Sequence, residues 1–164
     1  KADVGHDLDI SREEAVEREL VSNDEWTTLE EATLKLYRFY KTEAEKHGLL
    51  IPDFKVEYGR RGGELIQIDE PPTHDSARLW ASSYYRIGEP QEAHSLDKEF
   101  LRVFLRDAYG FTGEEEVPRL PFQVITEISK RCVGAYEVLK GDRVIDELGL
   151  RSVNEVIDEL ERVK

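Results

Sequence analysis

Apolar positions recur every three or four residues in several stretches of this chain, and alternate with polar ones in another. The first helical stretch opens at Ser11-Arg12-Glu13-Glu14, a capping box in which Ser11 and Glu14 satisfy each other's free amides. A second box, Thr28 to Glu31, predicts a helix to about His47, with Leu29, Ala32, Leu36, Phe39 and Tyr40 on its buried stripe. Lys46 and His47 suit the negative helix end and Gly48 the left-handed stop. Between Leu49 and Tyr58 the period changes to two: Phe54, Val56 and Tyr58 share one face, Asp53, Lys55 and Glu57 the other. Arg60 to Gly63 supplies a turn, and Glu64 to Asp69 a returning strand.

From Glu70 to about His94 the composition is irregular, with Pro71, Pro72, Gly88 and Pro90. Connections of that length are usually functional or mobile. A helix is predicted from about Asp97 to Tyr109, with Phe100, Leu101, Phe104 and Leu105 inward and Gly110 as its stop. The acidic Gly113 to Glu116 stretch reads as a solvated loop. Pro121 opens another helix whose predicted core stripe is Ile125, Ile128, Cys132, Ala135 and Leu139, ending at Gly141. A last box, Ser152 to Glu155, opens a C-terminal helix. These elements sum to an α+β fold, a small antiparallel sheet with flanking helices.

A length of 164 residues suits one domain. The 36 acids against 23 bases give a net charge of −13, which argues against nucleic acid or an anionic membrane as the general partner. A local basic pocket remains open. The sequence has no apolar run of bilayer length and no signal-peptide core, so a cytoplasmic protein is expected. The single cysteine, Cys132, excludes an intramolecular disulfide and a cysteine-rich zinc site, and reads as an inert core thiol. With no methionine and Lys1 first, the chain is expected to be processed, trimmed or the C-terminal part of something longer. Its oligomeric state is open, a homo-oligomer included.

Three segments can carry chemistry. In Asp53-Phe54-Lys55-Val56-Glu57-Tyr58-Gly59, three ionisable side chains lie on one face of an apolar-backed strand. That face is either solvated and ion-paired or a cleft wall, with carboxylates on a divalent cation and the lysine on phosphate. Asp69, returned by the hairpin, favours the wall, since magnesium takes hard oxygen ligands completed by phosphates and water. Asp75, Ser76 and Arg78 place an acceptor, a hydroxyl and a guanidinium suited to phosphate or carboxylate within four residues; an ordinary turn is the plainer reading. Lys98 and Arg102 share a face at a helix start, where cations oppose the macrodipole unless an anion or a neighbour such as Glu99 pairs with them. His74 has no suitably spaced zinc partner. Trp26, Tyr84 and Tyr85 read as packing residues.

In order and spacing these segments resemble the C-terminal part of the SAICAR synthetases, the phosphoribosylaminoimidazole-succinocarboxamide synthases of purine biosynthesis. The carrying residues are Asp53 to Gly59, Ile68-Asp69-Glu70, Asp75 to Trp80, Gly88-Glu89-Pro90-Gln91, Asp97 to Arg102 and Ala135-Tyr136-Glu137, with Lys1, Asp3, His6 and Asp7 echoing a loop of the family. The resemblance covers residues 1–141, taken as the catalytic domain, and leaves 142–164 as a helical tail. It implies a ligase that joins the carboxylate of CAIR, a carboxylated aminoimidazole ribonucleotide, to L-aspartate. ATP is spent, through an acyl phosphate, to give SAICAR, ADP and phosphate. It further implies that Glu57 and Asp69 hold a magnesium bridging the nucleotide phosphates and that Lys55 faces the reacting group. Asp53 would help fix the ribonucleotide and Arg78, beside Asp75 and Ser76, would grip its phosphate. Lys98 and Arg102 would bind carboxylates.

The sequence departs from the family pattern at Ala77 (commonly a second serine), His74 (often proline) and Leu8 (usually proline). The family's N-terminal glycine-rich lid and its substrate-phosphate segment have no counterpart. Two other readings fit the residues: an inositol-phosphate-kinase-like phosphotransferase and a non-catalytic nucleotide-binding module.

Overall fold

The computed structural model describes residues 9–68, 73–91, 94–113 and 116–162. Its elements are α1 (Arg12–Glu17), α2 (Asn23–Glu45), β1 (Leu49–Leu50), β2 (Tyr58–Arg61), β3 (Glu64–Gln67), β4 (Trp80–Ala81), α3 (Glu99–Tyr109), α4 (Phe122–Lys140) and α5 (Val153–Arg162). A 3₁₀ turn, Ile145–Leu148, precedes α5. The class is α+β as the sequence predicts, but the named strands among the described residues form two separate antiparallel pairs, β1–β4 and β2–β3.

Local chemistry explains most boundaries. Ser11 accepts the Glu14 amide at 3.2 Å and starts α1, while the Glu14 carboxylate turns to Arg18. α2 begins earlier than the Thr28 box suggests. Ser22 and Glu25 close a full box at 3.1 and 2.8 Å, and Thr28 lies inside the helix with its hydroxyl donating to the Asp24 carbonyl. Gly110 and Gly141 end α3 and α4 in the left-handed conformation. The hairpin turn is only Gly62-Gly63, at φ +59° and +86°, which fixes the register from Arg61↔Glu64 to Tyr58↔Gln67.

The expected long strand from Leu49 is broken by a change of register. Leu50 faces Trp80, yet Phe54 faces Ala77, so three residues on one side span two on the other. Pro52, which has no amide hydrogen to contribute, sits within this bulge. Beyond it, the Arg78 amide donates to the Asp53 carbonyl and the Lys55 amide to the Ser76 carbonyl. Ser95 bridges Trp80 on the far side, and the Leu96 amide donates to Leu79 at 2.8 Å.

Two apolar clusters form the interior. One gathers Leu49, Ile51, Leu79, Leu96, Val138 and Leu148; the other gathers Phe100, Phe104, Val124, Val153 and Val156. Residues after Gly141 therefore contribute to both. The buried face of α4 is rotated from the predicted stripe: Ala135 is buried and Ile128 packs against the second cluster as expected, but the ends of the stripe turn outward. Ile125 and Leu139 are 46% and 42% exposed, whereas Val124, Glu127, Arg131, Gly134, Ala135 and Val138 are buried. An apolar-period reading passed over this stripe because an ion pair occupies its centre. Cys132 is partly buried, with its thiol pKa pushed up by burial.

Glu127 is fully buried and Arg131 nearly so. Arg131 donates to Glu127 at 2.8 Å and to the Arg151 carbonyl at 2.8 Å, and its guanidinium lies 3.9 Å from the Phe100 ring centroid. Lys130 and Arg151 also donate to Glu127, at 2.6 and 2.8 Å. Burial pushes the Glu127 carboxyl up, but these hydrogen bonds together outweigh it and hold its pKa down at about 2.

Glu127→Gln should therefore cost about 3–5 kcal/mol, because Arg131 stays charged and loses its partner; urea unfolding would measure this, and a near-zero change would show the pair to be dispensable. The carboxyl is depressed in the folded state, so its contribution holds above pH 4.5 and is lost as pH falls toward about 2. The variant should lose less stability across that window than the wild type.

Candidate functional site

The alternation predicted for residues 53–58 places the expected residues on opposite faces. Phe54 stacks on Tyr37 at 5.7 Å between centroids and meets Tyr40 edge-on. The Tyr58 hydroxyl lies 3.0 Å from that of Thr33, and Tyr37 donates to the Ile51 carbonyl at 2.9 Å. With one face held against α2, Asp53 and Lys55 are exposed on the other, and Glu57 is half-buried there. Lys55 Nζ lies 2.7 Å from Glu57 Oε1.

The bulge sets the next pair. It brings the 76–78 backbone beside residues 53–55, and Arg78 Nε reaches Asp53 Oδ2 at 3.3 Å. Ser76 closes the preceding turn, its hydroxyl accepting the Thr73 amide at 3.0 Å. Asp75 accepts from Lys98 Nζ at 3.0 Å, and that hydrogen bond and charge hold the Asp75 carboxyl below its usual range. Arg102 pairs with Glu99, the neighbour named as its plainer partner. Arg78, Trp80, Gln91, Glu99 and Arg102 line a small polar cleft of about 180 Å³.

Segments distant in sequence thus converge on one edge, and the residue that joins them is Asp97, which the sequence reading used only as a helix start. Asp97 is 7% exposed. Its Oδ2 accepts the Leu79 amide at 2.9 Å, and its Oδ1 accepts the Glu99 amide at 2.7 Å and the Ser95 hydroxyl at 3.2 Å. Burial pushes the Asp97 carboxyl up, against the pull of those donors. Arg78 follows from one side of this clamp, Lys98 and Arg102 from the other. A sequence signal existed: an aspartate two residues before a helix's first turn is a natural acceptor for its free amides. Trp80, Gln91 and Glu99 were also unassigned as cleft residues. His94 stacks on Tyr84 at 4.0 Å, and burial pushes its pKa down.

Asp69 and Glu70 lie outside the described residues, as do Lys1, Asp3, His6, Asp7 and Leu8. The described register runs up to them, the Ile68 amide donating to the Glu57 carbonyl at 3.0 Å. Among the described residues no three His, Cys, Asp or Glu side chains form a cage for a metal. The half-buried carboxylate of Glu57, held beside Lys55, supplies hard oxygens of the kind magnesium takes, since that ion binds through one or two carboxylates and fills its other positions with phosphate and water oxygens. Among the described residues no helix is long and apolar enough to cross a membrane.

A family model described as SAICAR synthetase matches residues 1–120. A phosphoribosylaminoimidazole-succinocarboxamide synthase from Cytophaga hutchinsonii is 38% identical over 146 residues, 87% of this chain and 47% of that one. The chloroplastic counterpart from Arabidopsis thaliana is 34% identical, over 85% of this chain and 34% of its own length. The solved SAICAR synthase of Saccharomyces cerevisiae, complexed with SAICAR, superposes with a TM-score of 0.71 at 36% identity, covering 82% of this chain and 44% of that one. A SAICAR synthetase in complex with ADP gives 0.52 at 27% identity, covering 79% of this chain and 46% of that one. The chain spans about half the length, or less, of these relatives. In its motifs, its fold and its likeness to these proteins, the chain belongs to the SAICAR synthetase family.

Proposed function

We propose that this chain supplies the magnesium–ATP wall and part of the substrate site of a cytoplasmic ligase that condenses CAIR with L-aspartate. The products are SAICAR, ADP and phosphate. Residues 1–141 would be its catalytic part and 142–164 a helical tail packed into the same core. The reading rests on one observation above all. Lys55, Arg78 and the pair Lys98 and Arg102 project from three segments distant in sequence, and each cation lies beside a carboxylate: Glu57, Asp53, Asp75 and Glu99 respectively. Four cations of an otherwise acidic chain stand along this edge, where the reading brings two anionic substrates and ATP together.

The carboxylate partners have a function in this reading. Arg78 offers a planar fork to the ribonucleotide phosphate while Asp53 and Asp75 restrain the free side chains. Ser76 adds a hydroxyl beside them. Lys98 and Arg102 meet substrate carboxylates, which displace Asp75 and Glu99 and so replace one ion pair by another. Glu57 and Asp69 would hold magnesium, which when bound offsets charge on the nucleotide phosphates. Lys55 faces the CAIR carboxylate as its oxygen attacks the γ-phosphorus and ADP departs. Nitrogen of aspartate then forms the amide bond, and phosphate leaves with loss of a proton. Fixed cations contribute most where negative charge develops in the transition state of each step.

In the complete enzyme, ADP release should require CAIR and aspartate together, with SAICAR formed in equal amount. Release driven by an inositol phosphate, or none at all, would overturn this reading. Arg78→Lys should weaken ribonucleotide binding roughly tenfold, about 1.4 kcal/mol, with a smaller change in kcat; unchanged KM for CAIR would remove Arg78 from the site. Asp69→Asn should lower turnover by at least roughly 10²-fold with an unaltered melting temperature, since one metal oxygen donor is lost. Wild-type rates would refute the metal assignment.

A further inference from the structure

The small cleft lined by Arg78, Trp80, Gln91, Glu99 and Arg102 holds a carboxylate between its two guanidiniums. Glu99 is the first residue of α3, and its main-chain amide is tied to Asp97 at 2.7 Å. Its side chain is 22% exposed, against 53% and 61% for Asp53 and Asp75 in the neighbouring ion pairs. Those two can swing into water when a substrate anion takes their cation. Glu99 has less room to do so, and the buried Asp97 carboxylate lies behind it. Burial first, and the charge of Glu99 among the lesser causes, push the Asp97 carboxyl up. Once a substrate carboxylate claims Arg102, Glu99 is left beside a second negative charge and without its guanidinium, a costly state for a half-buried carboxylate.

We propose that Glu99 binds the ammonium group of the amino-acid substrate, and so selects an α-amino dicarboxylate over a dicarboxylate that lacks the amine. In the ligase reading above, on which this assignment rests, one substrate is a zwitterion. The four cations of the edge serve its carboxylates and the phosphates, but none of them can accept from an ammonium, which is a donor only. Glu99 and Arg102 stand one turn apart on α3 and touch through their side chains. The ammonium and carboxylate of one α-carbon are adjacent in the same way, so they can enter between this pair. The carboxylate takes Arg102, the ammonium takes Glu99, and neither protein charge is left unpaired. Gln91, another side-chain acceptor lining the cleft, is neutral, and its amide nitrogen is held by the Arg86 and Glu89 carbonyls at 2.9 and 2.7 Å. Its oxygen offers an ammonium the weaker contact.

The test compares L-aspartate as substrate with succinate, which has both carboxylates and no ammonium, as inhibitor of the complete enzyme. Glu99→Gln should raise KM for aspartate roughly tenfold or more, the worth of one charge-assisted hydrogen bond. KM for CAIR should stay unchanged, and inhibition by succinate should be as strong or stronger, because Arg102 is freed rather than lost. Glu99→Asp, which keeps the charge, should recover part of the aspartate affinity. The melting temperature should not move, since Asp97 grips only the main-chain amide and the Glu99–Arg102 pair is partly solvated. A wild-type KM for aspartate in Glu99→Gln would overturn the assignment. Equal weakening of aspartate and succinate would overturn it too, by making Glu99 a restraint on Arg102 and nothing more. Wild-type enzyme that forms no SAICAR from aspartate would instead bring down the ligase reading, and this assignment with it.

Discussion

A single buried carboxylate fixes the geometry on which the candidate site depends. Asp97 takes the Leu79 amide on one oxygen and the Glu99 amide and Ser95 hydroxyl on the other. Burying an ionised carboxylate is costly, and only donors fixed by the backbone make it tolerable. Two of the three here are main-chain amides, from the strand that continues Arg78 and from the first residue of α3. The residue accordingly sets the separation between Arg78 and the pair Lys98 and Arg102, although it carries none of the exposed charge. Its field also acts on the Arg131 guanidinium beneath. The site edge and the buried ion pair of α4 are therefore coupled electrostatically.

The second constraint is charge balance. A chain of net charge −13 repels the anions that this family reading requires it to hold. Along the described edge each of the four cations stands against a carboxylate, so the edge is locally balanced rather than negative. These are solvent-facing pairs, worth little to stability. Their value is positional, since a paired side chain has already lost much of the rotamer freedom that substrate binding would otherwise have to remove. An incoming phosphate or carboxylate then exchanges with a resident one at small net electrostatic cost.

What could be read in the sequence was local. Ser152 and Glu155 form the predicted box, Gly48, Gly110 and Gly141 stand where helices stop, and the alternation of 53–58 puts Phe54 on α2 and Lys55 on the open side. Information failed where a residue's environment is made by distant chain. The register change at Pro52 arises from pairing with residues 77–81, and no local pattern announces it. The core stripe of α4 was misplaced because Glu127 and Arg131 read as surface residues until Lys130, Arg151 and Phe100 surround them. Asp69, central to the metal reading, lies outside the described residues.

That misplacement also shows how the two ends of the chain depend on each other. Gly134 has no side chain because Leu148 occupies the space; a β-carbon there would lie 2.6 Å from Leu148 Cδ1. Leu148 and Ile145 complete the cluster under β1 and β4, while Val153 and Val156 complete the one beneath α3. Residues 145–156 thus bind the strands that Asp53 and Arg78 flank to the helix α3, at whose start Lys98 and Arg102 stand. Any loosening of α4 would reach both clusters at once, because Glu127 accepts from Arg151 of that same segment. The edge of cations keeps its spacing only while this inner face stays packed.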